Sequence, residues 1–107
     1  MKLNKHLKIV GKTTDEKQVV QNGFAMVDTY GLPLEILLGL LKDNHMVMDW
    51  VAFFEDAMVA QWPVDRTVIK IETALLDIYG TEYKNMVVRR MKDYLFYKYS
   101  RLEGDGS

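Results

Sequence analysis

Residues 13–31 read TTDEKQVVQNGFAMVDTYG, and the fold class turns on what they form. One reading is a helix that starts near Thr14, with acids in its first turn where the helix dipole favours them. The other is a hairpin, with Asn22-Gly23 as a tight turn between QVVQ and FAMV. Phe24, Val27 and Tyr30 keep helical spacing, which predicts a helix at least over residues 24–30 and points to an all-α chain. Residues 1–12 stay open between a flexible arm, a short strand and an amphipathic helix. In the last case Leu3, Leu7 and Val10 share one face and the lysines the other.

Downstream, the 3.6-residue period repeats. In DWVAFFEDAMVAQW, residues 49–62, Trp50, Phe53, Phe54, Ala57, Met58 and Trp62 share one broad face. Asp49 is placed to cap this helix and Pro63 to end it. The next segment starts at Asp65 as cap, carries Val68, Ile71, Leu75 and Ile78 as its apolar line, and stops at Gly80, which is free to adopt positive φ. Thr81 then opens EYKNMVVRRMKDYLFYKYSR, with Tyr83, Val87, Met91, Tyr94 and Leu95 on one face. Ahead of these, LPLEILLGLLKDN has Pro33 in its first turn and a narrow polar stripe of Glu35, Gly39 and Lys42, as expected of the most buried helix. The sequence therefore predicts a single all-α domain over residues 1–107. It would be a compact bundle of four to five helices near 24–30, 33–43, 49–62, 65–79 and 82–100. An N-terminal arm over 1–12 and a polar tail over 102–107 complete the expectation.

Composition narrows the chemistry. The chain of 107 residues is 49% hydrophobic and 27% charged, as in a globular domain, and has no cysteine. Disulfides, thiolate metal sites and cysteine nucleophiles are excluded. The basic N-terminal stretch is too interrupted by polar residues to read as a signal peptide, and no apolar run approaches the roughly 20 residues of a membrane span. A cytoplasmic protein is the expectation. His6 and His45 stand alone, and neither catalytic-triad spacing nor a glycine-rich phosphate loop is present. No catalytic, cofactor-binding or metal-binding residue is assigned, and no small-molecule substrate is evident.

Charge is segregated along the chain. Residues 1–12 carry four lysines and no acid, residues 28–82 carry ten acids against three cations, and residues 84–101 carry six cations against one acid. The six, Lys84, Arg89, Arg90, Lys92, Lys98 and Arg101, are the candidate nucleic-acid contacts. Stepping at 100° per residue spreads them around the helix, whereas a groove-tracking helix gathers its cations on one side. AMVDTYGLPLEILLGLL has the glycine-centred turn of a helix-turn-helix unit, yet its second helix offers leucines and Glu35 where base readers belong, so it reads as a helix corner in the core.

Three features suggest a partner surface. Glu72 interrupts the apolar neighbourhood of Val68, Ile69, Leu75 and Leu76, and calls for an ion pair with Arg66 or a cation of the last helix, or for a partner contact. Met46 and Met48, in a short connection between helices, are expected to leave at least one methionine exposed. The run YLFYKYSR, residues 94–101, continues the core face through Tyr94 and Leu95. Phe96, Tyr97 and Tyr99 are left over, and the uncovered apolar side raises the question of what covers it. The function this predicts is a small, non-enzymatic intracellular protein that binds another protein or a second copy of itself, of the regulator or phage- and plasmid-encoded inhibitor type. The alternatives are a nucleic-acid-binding regulator using the basic last helix and the lysine-rich N-terminus, or an acidic DNA mimic.

Overall fold

A computed structural model describes residues 6–105, with side chains described through Lys98. Its first element overturns the all-α expectation. Strands β1 (Lys8–Lys12) and β2 (Gln18–Gln21) form an antiparallel hairpin, and β3 (Met46–Met48) adds in parallel beside β2, giving the order β1-β2-β3. Extended structure suits the β-branched pairs Ile9-Val10 and Val19-Val20. The hairpin turn lies at Thr13–Lys17, where Thr13 N–H donates to the Lys17 carbonyl, Glu16 N–H donates to the Thr13 carbonyl, and Glu16 takes φ 64°. The Thr13 hydroxyl accepts from Lys17 N–H and donates to the Asp15 carboxylate, and that bond holds the Asp15 carboxyl below its usual range.

The Asn22-Gly23 pair is thus no hairpin turn. Asn22 takes φ 70° in the left-handed region that Asn tolerates, and helix α1 (Gly23–Asp28) leaves β2 directly. Gly23 packs closely on β3: a Cβ there would collide with the Met48 thioether and force that side chain to shift. The remaining helices are α2 (Leu34–Asp43), α3 (Trp50–Val59), α4 (Val64–Ile78) and α5 (Thr81–Asp105). The glycine-centred corner at Gly31, φ 71°, joins α1 to α2 as expected. Residues 8–12 are strand rather than arm, and α5 extends the expected last helix through residues 102–105.

Local signals explain most boundaries. The Asp49 carboxylate accepts from Ala52 N–H at 3.1 Å and caps α3. Helix α3 ends before Pro63, because Gln61 at φ 64° closes a Schellman turn: Gln61 N–H donates to Met58 and Trp62 N–H to Ala57. Helix α4 begins at Val64, so Asp65 lies in its first turn and does not cap it. Gly80 at φ 92° ends α4 as predicted.

One core joins sheet and helices. Each of the four longer helices contributes a stripe at helical spacing: Leu34, Leu37, Leu38 and Leu41 from α2, Trp50, Phe53, Phe54 and Ala57 from α3, Ile71, Ala74 and Leu75 from α4, and Val87, Val88 and Met91 from α5. Val20, Met46 and Met48 enter the same cluster from one face of the sheet. Phe24 packs edge-on against Phe53 and Trp62, with ring centroids 5.5 and 4.7 Å away. No helix among the described residues is long and apolar enough to cross a membrane.

Candidate functional site

Strand pairing decides which side chains reach the second face of the sheet. Val19 lies opposite Val47, and alternation turns both away from the face that carries Val20, Met46 and Met48. They floor a groove of about 660 Å³, whose other walls are the hairpin turn, the start of α3 and the first turns of α5. That volume lies within the range of small-ligand sites.

The polar groups of this groove fall into two sets. The acids are engaged: the Asp49 carboxylate accepts from Ala52 N–H and from Gln21 Nε2 at 2.9 Å, while Asp15 is tied to the Thr13 hydroxyl and, at 3.5 Å, to Lys17. The donors are not. Arg90 is exposed on α5 and forms no hydrogen bond or ion pair among the described residues. Trp50 is only 6% exposed, and its indole N–H has no acceptor among the described residues. The Tyr83 hydroxyl lies close enough for the indole dipole to favour its ionised form, yet no hydrogen bond of normal geometry closes between them. Burial outweighs that influence and the pull of Arg90, raises the Tyr83 hydroxyl above its ordinary value and keeps it protonated, with Asp15 adding in the same direction.

The residues singled out from the sequence are dispersed. Arg90 opens onto the groove between sheet and α5 and shares a second depression with Arg89 and Asp93, while Lys84, Arg89 and Lys92 border a third with Glu72 on α4. The cations of α5 therefore occupy more than one side of the helix. Lys98 is exposed and sits 5.9 Å from the Tyr94 ring centre, and the Arg101 side chain lies outside the described residues. Glu72 is half-buried and has no ion-pair partner within 4.0 Å among the described residues, so neither expected pair forms.

The methionine expectation is corrected. Met46 and Met48 are 7% and 5% exposed, because the connection that carries them is a strand filling the core. In the terminal run, Tyr94 and Leu95 pack on the core as expected, Phe96 is 76% and Tyr97 61% exposed, and the Tyr99 side chain lies outside the described residues. Among the described residues no group of three or more His, Asp or Glu is placed to hold a metal ion. The groove escaped the sequence reading because its parts come from four separate elements: the β2–β3 register brings Val19 and Val47 together, and α5 brings Tyr83 to the same groove. Comparison of the chain with protein-family models, curated proteins and solved structures finds no match.

Proposed function

We propose that this chain is a non-enzymatic intracellular binding protein, which engages another protein through the surface of α5 around Phe96. The observation that carries this reading is the abrupt change between neighbouring residues of one helix. Leu95 packs on the core, and Phe96, one step on, is 76% exposed beside Tyr97. A single exposed apolar residue needs no explanation. A phenylalanine next to an exposed tyrosine on a rigid helix is the composition of an interface anchor, and covering such a ring is worth roughly 2 kcal/mol. The nucleic-acid alternative draws less support, because the cations of α5 are interleaved with carboxylates: Arg89 and Arg90 share a depression with Asp93, and Lys84, Arg89 and Lys92 share one with Glu72 and Asp93.

The test is affinity purification of the tagged chain from its native host, run with wild type and Phe96→Asp side by side. The expected result is a stoichiometric protein retained by the wild type and lost from the variant, with the two melting temperatures within about 2 °C because the ring is already in water. Identical protein profiles from both arms, or no stoichiometric protein in either, overturn the proposal.

A further inference from the structure

The groove between the sheet and α5 has an asymmetry of hydrogen bonding that selects a ligand. Its acids, Asp15 and Asp49, are already engaged by their own neighbours. Its unused capacity consists of donors, the Arg90 guanidinium and the protonated Tyr83 hydroxyl, with the Trp50 indole N–H buried near the latter and unpaired among the described residues. Buried donors without acceptors are rare in folded proteins, because each forfeits a hydrogen bond it had in water. Trp50 and Tyr83 both line the groove, and the Tyr83 hydroxyl lies near the buried indole N–H. Below these donors the floor is aliphatic, formed by Val19, Val47 and Val51.

We propose that this groove binds a carboxylate carried on an apolar tail, with Arg90 and the Tyr83 hydroxyl holding the carboxylate and the three valines taking the tail. A planar guanidinium is the side chain best matched to a carboxylate, and the charge-assisted bond it makes is stronger than a neutral one. An amine would be repelled by the Arg90 and Lys17 charges that line the same groove. An alcohol would recover the apolar contact without the ion pair. The site is independent of Phe96, which lies on another part of α5 and outside the groove lining.

Nuclear magnetic resonance tests this directly, since the chain has two tryptophans and hence two indole N–H signals. The Trp50 signal is identified by its loss in Trp50→Phe. The full chain is titrated with octanoate, with octan-1-ol, and with an acetylated tetrapeptide ending in a free leucine carboxylate. Octanoate is expected to move the Trp50 signal and leave that of Trp62 in place, and octan-1-ol to bind at least about tenfold more weakly. Arg90→Gln, an exposed substitution, is expected to weaken octanoate about tenfold and leave octan-1-ol unchanged. Tighter binding of octanoate than of the peptide assigns a free acid as the ligand class, and the reverse assigns a chain terminus. Equal affinity for octanoate and octan-1-ol, an Arg90→Gln variant with unaltered octanoate affinity, or no binding of either carboxylate at millimolar concentration overturns the proposal.

Discussion

Gly23 shows how one residue can be constrained by its neighbour rather than by its backbone. It opens α1 and is not among the positive-φ glycines, so a helix former would suit the backbone at this position. Helix propensity alone favours alanine over glycine by about 1 kcal/mol. The contact argues the opposite, since an alanine Cβ would collide with the thioether of Met48, which is buried at 5% exposure and has little room to retreat. Overpacking of this kind costs about 1–3 kcal/mol, so Gly23→Ala is expected to destabilise by up to about 2 kcal/mol net. In a Met48→Val background the same substitution should cost less, because the colliding atoms are gone, and urea denaturation of the four proteins measures the coupling. An alanine variant as stable as the wild type would show that propensity rules here. The pair Asn22-Gly23 was legible as a place where the chain changes direction. Whether it turned into a second strand or into a helix depended on Met48, far along the chain, and no local pattern carries that information.

At the scale of elements, helices announced themselves and strands did not. Four helices lie where the 3.6-residue stripes place them, since each stripe repeats within one segment, whereas α1 ends at Asp28, short of the predicted residue 30, and leaves Tyr30 54% exposed. Strand β1 is exposed at all five residues and β3 buried at all three, so neither shows the alternation that marks a half-buried strand. The join of α2 to α4 was equally invisible beforehand. Lys42 Nζ donates at 3.0 Å to the Ile78 carbonyl at the end of α4, and lies 5.6 Å from the Tyr79 ring centre. That carbonyl is one of the last-turn acceptors a helix leaves unpaired. Tyr79 in turn stacks on Tyr83 at 4.5 Å. Burial pushes the Tyr79 hydroxyl from 10.0 up to about 12, with repulsion from an ionised Tyr83 adding to it. The folded chain thus holds this proton more tightly than the unfolded chain. Its contribution to stability is complete below the unfolded value and is lost as pH rises from about 10 through about 12. Tyr79→Phe has no such proton, so its stability, measured by urea denaturation from pH 8 to 12, should fall less steeply over that window than the wild type's. Parallel curves would contradict the burial of this hydroxyl.

For the molecule as a whole, the question is whether the three-stranded sheet is an appendage or part of the cooperative unit. An isolated hairpin is marginal in water, and β1 with its five exposed residues cannot stabilise one. The sheet instead holds its place through its inner face. Val20 is fully buried, and it joins Met46 and Met48 in the cluster that contains Leu37 and Phe53. Asp49 N–H also donates to the Val20 carbonyl at 2.9 Å, which fixes the residue that caps α3 against β2. Stability lost at Val20 should therefore be lost everywhere. Val20→Ala removes buried methyl groups and leaves a cavity at the junction, an expected cost of roughly 2 kcal/mol. In a domain of this size that corresponds to a fall of roughly 10 °C in Tm. Far-UV circular dichroism, which reports the helices, and the NMR signals of β1 and β2 should melt together in both proteins and shift by the same amount. A variant in which the strand signals vanish while the helices melt at the wild-type temperature would mean that the helices form the stable core alone. In that case the groove walled by the hairpin turn would open without unfolding the chain.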